Sequence, residues 1–481
     1  MTPCPAGEPT FLFVRLCTSA CLSLTLDGSD DIRAASACML PDDLSGQIAI
    51  LGRRIRHLLE AESWINRRRY VSGFPIDGSE VSLWPITNLS STIRIPMQSV
   101  TMRITQVVCE ILRIDSVEAK TASSQDALVL RIRTDTGLEG IGEADSSPEV
   151  VQAIIDAPFS HNIASGLRQI LLGENPLETE RLWQKMFRQT MYFGRSSVTI
   201  SAMAAVDMAL WDIKGKHFGE PIHRLLGGKQ HDQIRAYASI LFGQNGAETR
   251  DIGRRWRDVG YTAVKFGWEP MGRCEQLDLE LVRGARDGVG DDGIVLIDAG
   301  CVWDRRTALT RAKAFADSHI GWLEEPLMPD DVDGYAWLRD RSPVPIAAGE
   351  EECGRQSMRA LIDRQALDVY QVDIARNGFT DAQYIRQRVE EIGSRLCNHC
   401  YTSPLTVAAS LHWLSTCRDA FLFEDCVEDS PLRHKLTHER VQAEDGWIRV
   451  PEGVGLGVTL DEDFVAAHRV GQSGADQRLD P

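Results

Sequence analysis

No apolar stretch in the 481 residues is long enough to span a bilayer. The nearest, FLFVRLCTSACLSL at residues 11–24, falls short of the roughly 20 apolar residues a spanning helix needs and is broken by Arg15. The leading MTPCPAGEPT holds no Lys or Arg, so the stretch does not read as an export signal either, and a cytoplasmic protein is expected. Basic residues are outnumbered 52 to 69, and the resulting net charge of −17 disfavours nucleic acid and anionic membrane as partners of the whole chain. The 12 cysteines follow no disulfide framework, which fits a reducing compartment. Cys397 and Cys400 form a single CxxC around His399, but no second CxxC or His pair completes a zinc site. They read as two small core residues. Gly140 and Gly142 form a GxG without the third glycine of a dinucleotide-binding loop, and a strand ending in a hairpin accounts for them.

Patterning divides the chain near residue 101. Residues 1–101 carry the basic clusters Arg53, Arg54, Arg56 and Arg67, Arg68, Arg69, several turn-forming stretches and one expected helix near 46–62. They read as a poorly patterned, solvated or disordered extension, with Met97 or Met102 as alternative starts. From 102 to 233 two β segments, MRITQVVCEILRI and DALVLRIRTDTGLEGIGEA, precede a helical stretch with Ala202, Val206, Ala209, Leu210 and Ile213 on one stripe. This is expected to be an α+β capping domain. Between 234 and 435 eight short apolar runs alternate with helical segments: residues 234–240, 261–266, 293–298, 320–325, 344–348, 368–373, 395–399 and 420–424. Polar residues end too many successive runs for an open doubly wound sheet with one switch point, so a modified TIM barrel, (β/α)7β, is expected. Residues 436–481, with DGWIRVPEGVGLGV, read as a closing segment returning to the cap.

The most informative pattern is acidic. Asp298, Glu324 and Glu350 each end an apolar run, and each successive pair is 26 residues apart, about one strand, one crossover helix and two loops. Asp373, His399 and Glu424 continue the period at 23, 26 and 25 residues. Strand ends converge on the barrel mouth, where three carboxylates repel one another unless a cation binds them, and an all-oxygen donor set suits Mg2+.

Taken together, DMALWDIKGK, LLGG, the three evenly spaced acids, QVD and a His one strand later resemble the enolase superfamily, mandelate racemase subgroup, from about Met102 to the end. The resemblance implies that Asp298, Glu324 and Glu350 hold one Mg2+ per subunit, with Glu325 and Glu351 behind them. It implies that His399 is the base, oriented by Asp373, and that Glu424 is an acid hydrogen-bonded to the developing enediolate. Such a pair suits proton abstraction next to a carboxylate, since Asp373 would fix the imidazole tautomer and raise its basicity.

Several positions depart from the subgroup. Its racemases carry KxK on the second strand, and here Lys265 is followed by Phe266 and Gly267, leaving Lys265 to hold the substrate carboxylate. Gly300 stands where some dehydratases place a His acid, so His399 is expected to serve twice. Gly378 and Phe379 replace a Gly-Gly pair. Ser146, Ser147, Tyr192 and Arg195, on two cap stretches, are candidates for substrate contacts. The expected activity is a Mg2+-dependent acid-sugar (aldonate or aldarate) dehydratase giving a 2-keto-3-deoxy acid, in a homo-oligomer. The alternatives are a lactone cycloisomerase or an epimerase, and, in another class, a catalytically silent metal-binding or regulatory protein.

Overall fold

The computed structural model describes residues 102–115, 117–118 and 125–479, together with several strands nearer the N-terminus, and separates the chain into two units, Met1–Val100 and Thr101–Pro481. In the first unit Thr10–Cys17, Ala20–Leu26 and Ile32–Ala37 form an antiparallel sheet. Part of the stretch read as unpatterned therefore pairs, and ACLSLTL shows why: its leucines alternate with Ser23 and Thr25, the two-residue period of a strand. The helix expected near 46–62 lies outside the described residues.

The second unit begins with strands Ile104–Arg113, Asp126–Thr134 and Glu139–Ala144, paired antiparallel in that order. Arg469–Ser473 returns from the C-terminus to pair with Ile104–Arg113 and completes a four-stranded sheet. Against the sheet lies the helix Val198–Phe218, apolar around most of its circumference and buried along nearly all its length. Gly140 and Gly142 let it approach: a Cβ on either would stand 2.1 Å from the carbonyl oxygen of Ala209 or Ala205. The GxG is thus a packing device between strand and helix. At the helix's centre, buried Asp207 accepts hydrogen bonds from the Thr380 amide and hydroxyl, 2.8 and 2.6 Å. Asp212 accepts from the Ile141 and Leu456 amides, 3.0 and 2.9 Å. The two acids of DMALWDIKGK are therefore structural ties.

Eight parallel strands follow: Gln233–Leu241, Ala263–Gly267, Ile294–Asp298, Trp322–Glu324, Ile346–Ala348, Val369–Val372, Arg395–Asn398 and Phe423–Cys426. Each pairs with its sequence neighbour up to the seventh, and the eighth pairs with the first. The seam between seventh and eighth is closed by a side chain: the Asn398 amide donates to the Glu424 carbonyl (3.4 Å) and accepts from the Glu424 amide (2.8 Å), doing what a ladder pair does elsewhere. The eighth strand is shifted from its expected place at 420–424, because Ala420 makes just an isolated bridge to Leu396. In the closing segment, Trp447–Arg449 pairs with the first barrel strand and not with the cap, which Arg469–Ser473 reaches instead. Inside the barrel Tyr237, Trp322, Leu296, Val369, Cys397 and Leu422 fill the interior. Cys397 and Cys400 are buried free thiols, and burial above all holds both well above the ordinary thiol range, against any redox role. Among the described residues no helix is long and apolar enough to cross a membrane.

Every element of the cap sheet and the barrel comes from the second unit. A chain of residues 102–481 is therefore expected to fold alone, with a melting temperature within a few degrees of the full chain's. Aggregation of the shorter chain, relieved by restoring residues 1–101, would show the opposite.

Candidate active site

Strand register brings the acids together. Asp298 and Glu324 are partners at the C-terminal ends of adjacent strands, and Glu350 follows the next strand by two residues. Their carboxylate oxygens lie within 4.8 Å of one another, and the side chains are 1%, 0% and 5% exposed. Burial, and then the Glu324 charge, push the Asp298 carboxyl up to about 7. Burial also raises Glu324 to about 7, with Lys265 pulling the other way and Glu350 adding to the rise. Glu350 is raised by burial as well, and its buried Oε2 has no hydrogen-bond partner. Crowded buried carboxylates with a partnerless oxygen are an arrangement that a hard divalent cation satisfies, and the residues fit one. Glu325 takes a hydrogen bond from the Cys301 thiol, and burial followed by the Glu350 charge holds its carboxyl well above the usual range.

Across the mouth, Asp373 divides its two oxygens. Oδ1 accepts the Ala375 amide at 2.6 Å and caps the helix Ile374–Glu391, while Oδ2 meets His399 Nδ1 at 2.6 Å. The helix start thus fixes the carboxylate, and the carboxylate fixes the ring. Nε2 faces the acid cluster, 3.8 Å from Glu350 Oε1. Burial pulls the imidazole down, but Glu350, Glu424 and Asp373 outweigh it and hold it well above its ordinary value.

Lys265 Nζ sits 2.5 Å from Glu324 Oε1, 2.8 Å from Glu424 Oε1 and 3.8 Å from Asp298 Oδ2. Burial opposes its charge, and Glu324 and Glu424 more than restore it. Glu424 also accepts from the Ser239 hydroxyl at 2.8 Å and from the Cys400 amide at 2.7 Å. Burial would raise the Glu424 carboxyl, but Lys265 and His399 hold it down to about 2.

The structure also accounts for the departures. A Cβ on Gly267 would stand 2.9 Å from Asp298 Oδ2, so a side chain there must displace a member of the acid cluster. At Gly300 a Cβ would meet the Trp268 indole at 3.0 and 3.1 Å, and the backbone has φ +62. Trp268 itself has φ +65, uncommon for a bulky residue, and its ring lines the cavity where a second acid or base would otherwise stand. Phe379 is absorbed at 0% exposure against Trp211, with ring centroids 6.0 Å apart.

The cap supplies a different residue from those expected. Ser146, Ser147, Tyr192 and Arg195 are absent from the cavity wall; Tyr192 is 70% exposed and meets the His161 ring edge-on. Asp145 lines the cavity instead, with Glu351, Arg376 and Tyr401. Near a strand end, successive side chains point in opposite directions, so an error of one residue exchanges a cavity group for a surface one. Arg376, one helical turn after Asp373, carried no motif that would have marked it.

Comparison with known proteins identifies the family of the chain. Residues 100–227 match the mandelate racemase / muconate lactonizing enzyme N-terminal domain, and residues 248–464 match the enolase C-terminal domain-like family. D-galactarolactone cycloisomerase of Agrobacterium fabrum is 28% identical over 357 residues, 71% of this chain and 91% of that protein. Arabinonate dehydratase of Saccharolobus solfataricus is 29% identical over 343 residues, 70% of this chain and 88% of that protein. Among solved structures, the 3,6-anhydro-D-galactonate cycloisomerase of Zobellia galactanivorans superposes with a TM-score of 0.69 at 27% identity, covering 77% of this chain and all of that one. The chain belongs to the mandelate racemase and muconate lactonizing enzyme family of the enolase superfamily.

Proposed function

We propose that this protein is a Mg2+-dependent acid-sugar dehydratase. The observation that carries the reading is the His399–Asp373 pair facing the Asp298, Glu324 and Glu350 cluster, with Gly267 at the position of a second base and Trp268 packed against Gly300. A divalent cation held by those three carboxylates would supply positive charge for the enediolate and offset Glu350, so that His399 is free to be neutral. Lys265 holds the substrate carboxylate electrostatically, kept charged by Glu424. His399 Nε2 removes the proton α to the carboxylate. The C–O bond at the β carbon breaks, the hydroxyl leaves as water with the proton returned by His399, and the resulting enol ketonises to a 2-keto-3-deoxy acid. With one imidazole on one face doing both transfers, the elimination is syn. Four relatives named as arabinonate, D-xylonate, D-galactonate and D-gluconate dehydratases support this reading.

A screen of acid sugars with Mg2+ tests it: the product has lost one water. A product of unchanged mass would favour the second reading, cycloisomerisation of a sugar lactone, in which the same proton abstraction expels a ring oxygen. The D-galactarolactone cycloisomerase relative and the missing acid at Gly300 favour that alternative.

Mg2+ affinity is expected to depend on pH. Asp298 and Glu324 are raised to about 7, so below pH 7 they hold protons that must leave before a cation binds. Affinity therefore falls as pH drops from 8 to 6, with proton release on binding. Calorimetry in buffers of different ionisation enthalpy measures both.

A further inference from the structure

The cavity wall holds two permanent cations among the described residues, Lys265 and Arg376. They stand on opposite sides of the mouth, since Lys265 is on the second strand and Arg376 follows the sixth, four strands around an eight-stranded barrel. Lys265 is committed to the carboxylate end of the substrate. Arg376 is already taken twice: Nε donates to Asp145 Oδ2 at 3.1 Å and Nη1 to Glu351 Oε2 at 3.1 Å. Asp145 comes from the cap and is 5% exposed, and its amide is tied to the Ala375 carbonyl at 3.3 Å, so this partner is fixed in place. Two carboxylates share this one guanidinium, and the titratable group beside them is His399, whose Nδ1 lies 4.0 Å from Asp145 Oδ2 and is paired with Asp373.

We propose, resting on the acid-sugar reading, that Asp145, Arg376 and Glu351 form a distal clamp that selects acid sugars with a single carboxylate: aldonates in preference to aldarates. Carboxylate oxygens accept hydrogen bonds from the hydroxyls of a polyol tail. A second substrate carboxylate at the same place meets Asp145 and Glu351 with no uncommitted cation to offset it, and like-charge juxtaposition in a cavity is costly.

Two substrate pairs, D-galactonate with galactarate and D-gluconate with D-glucarate, differ at the terminal carbon alone. Measured on the full chain with Mg2+, kcat/KM is expected to favour the monoacid of an accepted pair by ~100-fold or more, the scale of a like-charge penalty. Glu351→Gln removes one of the two charges on Arg376 and should narrow that ratio at least ~10-fold, chiefly by improving the diacid. Glu351→Asp, which keeps the charge, should preserve the ratio. Diacids handled as well as monoacids by the unaltered protein would overturn the clamp while leaving the dehydratase reading intact, and so would a ratio unmoved by Glu351→Gln. If another acid sugar is the substrate, the same ratio is read on it and its terminal diacid, and equal rates overturn the clamp; turnover of no acid sugar at all would remove the dehydratase reading and the clamp with it.

Discussion

Asp298→Asn, Glu324→Gln and Glu350→Gln are each expected to lower turnover by at least ~1,000-fold, because a bound cation contributes several kcal/mol to stabilising transition-state charge. Chelation should do the same, reversibly on adding Mg2+. The fold should persist, and Asp298→Asn in metal-free protein should raise the melting temperature or leave it unchanged. The reason is local: Asp298 is buried, with the Glu324 charge pushing the same way, and neutralising it relieves both costs. Steady-state rates with and without EDTA, together with circular dichroism, measure these effects. Full activity in metal-free protein would sink the mechanism.

The second large effect concerns the base. His399→Asn is expected to abolish turnover and, in D2O, exchange of the substrate's α proton, each by ~1,000-fold or more if general-base catalysis is lost. Asp373→Asn should act in the same direction, since Asp373 Oδ2 at 2.6 Å fixes the tautomer of His399. Lys265→Met should weaken substrate binding and slow turnover without altering the face from which exchange occurs. Lys265 Nζ is locked between Glu324 and Glu424 at 2.5 and 2.8 Å, both of which favour its protonated form. Nuclear magnetic resonance of recovered substrate reads the exchange directly. If His399→Asn still exchanged the α proton and Lys265→Met did not, the roles of the two residues would be reversed.

Much of the site is legible in the amino-acid sequence because a parallel barrel turns sequence period into spatial neighbourhood. A strand, a helix and two loops occupy about 26 residues, so acids at that spacing arrive side by side at one rim. Asp298, Glu324, Glu350, Asp373 and His399 all follow this rule. Against the mandelate racemase resemblance, the missing second lysine and the glycine at position 300 are equally plain in the linear chain.

Fold class and the gathering of acids at strand ends thus follow from periodicity and residue type, while the roles of single residues came from the family resemblance. The remaining features of the site arise in three dimensions, because they rest on contacts between segments far apart in the chain or on a one-residue choice of direction. Asp145 faces the cavity and Ser146 does not. Arg376 joins cap to barrel through Asp145, a residue 231 positions away. Glu424 is held below the usual carboxylate range because the fold delivers Lys265 to it, and Trp268 fills the space above Gly300 through a left-handed backbone turn that no local pattern announced. Side chains that meet across such distances are selected by packing and charge, and the linear chain carries no period that reports them.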